Sequence, residues 1–166
     1  MFCKRHLMTT QRSLDPVNRK QHADTSPEAE LKVYEIPDEE SEVGQRTILL
    51  LDDESQVAAV LKDFLESRSF HVTTAKDGVE GLKKIMASDF DVILCDLMMP
   101  NLPGDMFYLA VERTKPQLCK KFIFMTGYAG DPKWQAFINR VKGVVLAKPF
   151  EFHLLLESIT RVLIAS

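Results

Sequence analysis

The chain has 166 residues, 45% of them hydrophobic, enough for one domain with a real core and a tail. Its 21 Lys and Arg against 24 Asp and Glu leave a net charge of −3, too even to suggest a nucleic-acid or membrane-surface partner. The cysteines Cys3, Cys95 and Cys119 are odd in number and form no CxxC pair, which reads as a reduced, cytoplasmic chain. The start carries early basic residues without an apolar stretch behind them, and nowhere is there an apolar run long enough to span a bilayer.

Residues 1–46 are polar and without sustained periodicity, basic at first (Lys4, Arg5, Arg12, Arg19, Lys20) and then acidic (Glu28 to Glu42). This composition is read as a disordered tail or linker. Within it, Leu31 and Val33 alternate briefly ahead of Pro37, a candidate short strand.

From Thr47 the character changes. Apolar runs at 47–51, 70–74, 91–95, 121–125 and 143–147 are too short for helices and alternate with longer stretches of helical period. After the first run, Val57, Val60, Leu61, Phe64 and Leu65 share a helical face. After the second, so do Val79, Leu82 and Met86. A third helix is expected after Gly104. A fourth starts at an Asp131-Pro132 cap and carries Trp134, Phe137, Ile138 and Val141 at core spacing. The fifth runs from about Phe152 through Leu155, Ile159, Val162 and Leu163. Runs such as Ile48-Leu-Leu-Leu51 are apolar on both faces, the mark of a parallel sheet covered on each side. The pattern is (βα)₅, a doubly wound α/β sandwich.

In such sheets chemistry gathers at the carboxyl ends of the strands. Strand one ends in Asp52-Asp53-Glu54, strand three in Asp96, strand four in Thr126 and strand five in Lys148. A single acid there would be explained as a helix cap, but the set would not. Converging carboxylates repel unless a cation sits among them, and an all-oxygen donor set without histidine or thiolate favours Mg²⁺. Lys148 and the Thr126 hydroxyl are then placed to neutralise and hold phosphoryl oxygens, and Asp96 is the candidate nucleophile.

The phrases Leu-Leu-Asp52-Asp53-Glu54, Asp96-Leu-Met-Met-Pro100 with Gly104 behind it, Thr126-Gly127 and Lys148-Pro149-Phe150 resemble the receiver domain of two-component response regulators. The resemblance spans about residues 46–164, so residues 47–166 are read as the receiver domain. It implies a flavodoxin-like sheet of order 2-1-3-4-5 and phosphoryl transfer onto Asp96 from a histidine kinase or histidine phosphotransfer protein. It also implies Mg²⁺ held directly by Asp53 and Asp96, through water by Asp52, and by the backbone carbonyl of Met98. Thr126 and Lys148 would contact the phosphoryl group, and Pro149 would follow a cis peptide bond. Output would pass to a protein partner through the face of the fourth helix and fifth strand.

The chain departs from the family at Val145, where many receivers carry a Tyr or Phe that turns inward on phosphorylation. Val145 leans toward a second reading, a docking module that is not phosphorylated. Tyr128 is either a cover over the site or an exposed loop residue, whereas Gly127 leaves the approach to Asp96 open. Cys95 is expected to be a small buried hydrophobe. Because the sequence stops with the fifth helix, no output domain is expected. The phrasing around Asp96 looks closest to the receivers of hybrid histidine kinases.

Overall fold

The computed structural model describes residues 45–128, 130–141 and 143–166. The tail reading and the candidate strand at Leu31 lie outside them. In chain order the elements are β1 (Thr47–Leu51), α1 (Ser55–Glu66), β2 (His71–Ala75), α2 (Gly78–Ala87), β3 (Val92–Asp96) and α3 (Gly104–Thr114). A 3₁₀ turn (Pro116–Lys121), β4 (Phe122–Thr126), α4 (Pro132–Val141), β5 (Val144–Ala147) and α5 (Phe152–Ala165) follow. The sheet is parallel throughout with order β2-β1-β3-β4-β5, as the resemblance implied.

Alternation along the strands divides the core between the two faces of the sheet. Leu49, Leu51, Ile93, Cys95, Phe122 and Phe124 pack against Ile85 of α2, Phe107 and Val111 of α3 and Trp134 of α4. Ile48, Leu50, Val92, Leu94, Ile123, Met125 and Leu146 pack against Leu61 and Leu65 of α1 and Leu155 and Ile159 of α5. Both layers are buried, which is why these strands lack the polar alternation of a half-exposed sheet.

Several details differ from the sequence reading. β2, β3, β4 and β5 each begin one residue later than the apolar runs suggested, and β3 and β4 extend onto Asp96 and Thr126. The parallel ladder pairs these polar residues with Met125 and Ala147, so backbone hydrogen bonding outlasts the hydrophobic run. In α1, Val60 is 56% exposed, and Ala58 takes the buried place beside Leu61 and Leu65.

In α2 the helix is turned further from expectation. Val79 and Met86 point to solvent, and the buried stripe is Gly78, Gly81 and Ile85. A Cβ on Gly81 would lie 2.4 Å from Leu51 Cδ2, and one on Gly78 would lie 2.6 Å from the Leu102 carbonyl oxygen. Close approach of α2 to the sheet selects glycine there, and a hydrophobicity pattern does not register glycine as core.

α4 packs as expected, with Trp134 buried and Phe137, Ile138 and Val141 against the same core layer. Asp131 caps it, accepting from the Lys133 amide at 2.7 Å. Arg46, assigned to the tail in the sequence reading, is tied to the sheet. Its carbonyl accepts from the His71 amide at 2.8 Å, and its guanidinium lies 3.2 Å from Asp91.

Candidate functional site

β1 and β3 are registered Leu51↔Cys95, so one further step along each strand sets Asp52 beside Asp96. Both residues follow the alternation of Leu50 and Leu94, the face covered by α1 and α5. Lys148 follows the alternation of Leu146 on the same face and reaches across β4 to both acids. Its Nζ donates to Asp52 Oδ2 at 2.8 Å and to Asp96 Oδ2 at 2.5 Å. Asp52 is 2% exposed and Asp96 5%. The other oxygen of each acid is also engaged: Asp52 Oδ1 accepts the Glu54 amide at 3.0 Å and Asp96 Oδ1 accepts the Met98 amide at 2.8 Å.

Asp53 completes the acidic group from the solvent side. One carboxylate oxygen from each of Asp52, Asp53 and Asp96 lies within 4.8 Å of the others. Among the described residues the Asp53 carboxylate makes no hydrogen bond or ion pair, so Lys148 is the single cation set against three acids. That excess of negative charge, all on hard oxygen donors with one acid open to solvent, fits a divalent ion such as Mg²⁺ with part of its water shell retained.

The charges perturb one another as this geometry requires. Burial pushes the Asp96 carboxyl above its ordinary value, and the Lys148 ammonium and the Met98 amide only partly offset it. Burial alone would lower the Lys148 ammonium, but its hydrogen bonds to Asp52 and Asp96 outweigh that and raise it. The Lys148–Pro149 peptide is cis, as the resemblance implied.

The Thr126 side chain is not joined to this group. It continues the alternation of Phe122 and Phe124, on the sheet face that α3 and α4 cover, and is fully buried. Its hydroxyl accepts the Tyr128 amide at 3.0 Å, and among the described residues that hydroxyl makes no hydrogen bond to the acids or to Lys148, whose backbone amide instead donates to the Thr126 carbonyl at 2.8 Å. Met98 is 47% exposed on the loop after β3. A cleft of about 910 Å³ opens over the acids, with Asp53, Asp96 and Lys148 at its base. Val57 and Val60 of α1, Phe150 and Phe152 form an apolar wall, and Tyr128, 60% exposed, stands at the rim.

Residues 48–160 match the family described as the response regulator receiver domain. The chain belongs to that family.

Relatives span both settings in which receivers occur. The chain is 31% identical over 122 residues to the sensor kinase CckA of Brucella abortus (strain 2308), covering 72% of this chain and 13% of that protein. It is 29% identical over 124 residues to the response regulator receiver protein CpdR of the same organism, covering 73% of this chain and 99% of CpdR. The chemotaxis protein CheY4 of Vibrio cholerae, 29% identical, superposes with a TM-score of 0.65 over 71% of this chain and 98% of that one. TrrA of Thermotoga maritima, solved in complex with Mg(2+)-BeF, is 26% identical with a TM-score of 0.60 over 70% of this chain and 98% of that one. Receivers work in two-component signalling, where histidine kinases supply their phosphoryl group. Among the described residues no helix is long and apolar enough to cross a membrane.

Sequence reasoning grouped the acids and Lys148 on one rim, where the structure also brings them together, but did not anticipate the contact of Asp77 with Asn101, which joins the turn before α2 to the loop carrying Met98. The available signal was an Asp-Gly pair opening a helix, which marks a cap without saying what else the cap touches.

Proposed function

We propose that this chain is a phosphoacceptor in a phosphorelay, with Asp96 as the residue that takes the phosphoryl group. The observation that carries the proposal is the double contact of Lys148 with Asp52 and Asp96 beside the open carboxylate of Asp53. A lysine drawn between two acids is held where charge develops when one of them attacks phosphorus.

In the proposed reaction a carboxylate oxygen of Asp96 attacks the phosphorus of a phosphohistidine. The P–N bond breaks as the P–O bond forms, and the imidazole leaves on the donor, which is a histidine kinase or a histidine phosphotransfer protein. Asp53, Asp96 and the Met98 carbonyl would hold Mg²⁺, with Asp52 acting through water. That ion supplies positive charge against the phosphoryl oxygens and the acids. Lys148 turns from the Asp96 carboxylate to the phosphoryl oxygens that replace its charge. Thr126 reaches the same group by turning its hydroxyl from the Tyr128 amide, and Gly127 leaves its path clear. The likeness to TrrA, whose structure holds Mg(2+)-BeF, supports this reading.

Output is assigned to the face of α4 and β5. Thr126 lies on the same side of β4 as Phe124, and Phe124 packs edge-on to Phe137 of α4 at 5.2 Å. Val145 is half-buried in that layer, so a shift at Thr126 passes to α4 through the β4 ring and not through an aromatic on β5.

The test is incubation with a small-molecule phosphodonor and Mg²⁺, then with a phosphorylated phosphotransfer protein, read by intact mass. One phosphoryl group is expected on the wild type and none on Asp96→Ala. Equal uptake by both, or uptake by neither, would overturn the assignment.

A further inference from the structure

Asp77 lies in the turn between β2 and α2 yet is only 6% exposed. Its two carboxylate oxygens serve different elements. Oδ1 accepts the Glu80 amide at 2.8 Å, the capping bond of α2. Oδ2 accepts the side-chain amide of Asn101 at 2.8 Å, in the loop that joins β3 to α3. Next to this bond the Gly78 amide donates to the Leu102 carbonyl at 3.2 Å, so the two backbones meet directly.

Asn101 holds a φ of 61°, in the left-handed region that asparagine tolerates better than most residues. At its other end the loop is bound by the Met98 amide to Asp96 Oδ1 at 2.8 Å and by the Gly104 amide to the Leu97 carbonyl at 3.2 Å. Leu97 and Met99 are buried in the core, whereas Pro100 and Asn101 are exposed. The turn at Asn101 therefore depends on Asp77 and Gly78 for its position.

We propose that Asp77 and Asn101 form a clamp that positions the Met98 backbone for the divalent ion. They are positioning residues, making no hydrogen bond to the acids among the described residues, and the inference rests on the metal reading given above. A backbone carbonyl carries no side-chain chemistry of its own, so only the conformation of its loop places it as a ligand. The clamp ties that loop to the first turn of α2, a rigid element whose N-terminus the same aspartate stabilises.

The experiment measures Mg²⁺ binding to the full chain by calorimetry and amide hydrogen exchange across residues 97–103 without metal. Asn101→Asp keeps the size of the side chain and tolerates the positive φ, but sets a second carboxylate against Asp77 Oδ2 with no donor between them. The Mg²⁺ dissociation constant is expected to rise about tenfold, the low end of what losing an outer-shell partner costs. Asp77→Asn combined with Asn101→Asp restores one donor facing one acceptor, and should return affinity to within about twofold of wild type. Asn101→Gly removes the donor without changing charge and suits the positive φ. It should also weaken binding and speed exchange in the loop. Wild-type affinity in Asn101→Asp and Asn101→Gly would overturn the clamp alone, and so would failure of the exchanged pair to recover. A wild type that takes up no Mg²⁺ would overturn the metal reading and the clamp with it.

Discussion

Lys148→Met tests the charge balance of the site. Methionine keeps most of the side chain's length and removes the ammonium between Asp52 and Asp96. At 2.8 and 2.5 Å, each contact carries about 6–7 kcal/mol of gross attraction at an effective dielectric of about 20, most of it offset by desolvation of the three groups. Removing one partner of a fully buried pair costs about 3–5 kcal/mol because a charge is stranded. The Lys148 side chain is 20% exposed, so water reaches the stranded acids, and about 2–3 kcal/mol is expected. On a domain of this size that lowers Tm by about 10 °C.

The assay is urea unfolding of metal-free protein, followed by the emission of Trp134, the chain's one tryptophan, which is 4% exposed. Asp96 already sits above its ordinary 3.8, and losing Lys148 raises it further. A carboxyl whose folded pKa is raised loses stability as pH climbs from the unfolded value through the folded one. The gap between wild type and variant is therefore smallest near about pH 4 and widens toward neutrality. Mg²⁺ should narrow it, since an ion that binds only the folded chain restores positive charge. A loss under about 1 kcal/mol at neutral pH, or a gap that does not change with pH, would refute the reasoning.

Asp53→Asn should act in opposite directions on stability and binding. It relieves repulsion, raising metal-free stability by about 1 kcal/mol in urea unfolding, while calorimetry shows weaker Mg²⁺ uptake. Gly104→Ala places a Cβ 2.4 Å from the Asp96 carbonyl oxygen and 2.9 Å from Leu97 Cα, both backbone atoms. Thermal melts should record a loss of about 2–3 kcal/mol, as for an overpacked core. Cys95 is fully buried, and burial followed by the charges of Asp96, Asp105 and Asp52 pushes its thiol well up. It should react with a disulfide reagent only after unfolding. Because Lys148 is raised above its ordinary 10.5, the stability it contributes is complete below that value and lost as pH rises through the folded one, so alkaline melts should fall there.

Much of the site was legible because a parallel sheet leaves its signature in single residues. A strand buried on both faces is apolar along its run, so the point where Leu51 gives way to Asp52, or Cys95 to Asp96, marks a strand end to within a residue. Strand ends on one rim are close in space, which brought Asp52, Asp53, Asp96 and Lys148 into one group before any coordinates. Thr126 belongs to the same rim, but its place on the other sheet face was not anticipated. That follows from strand register and alternation, which depend on where each ladder begins.

By itself, then, the sequence determined the order of elements, the two-faced core and the acids that face the cleft, because each follows from local composition and strand period. The tertiary structure alone decided which side of α2 is buried, where Gly78 and Gly81 replace the apolar stripe of Val79 and Met86. It alone joined Asp77 to Asn101, across 24 positions of chain. Both outcomes depend on how closely two backbones approach. Hydrophobic periodicity records which surfaces leave water, but the separation between elements is settled only when they pack against each other.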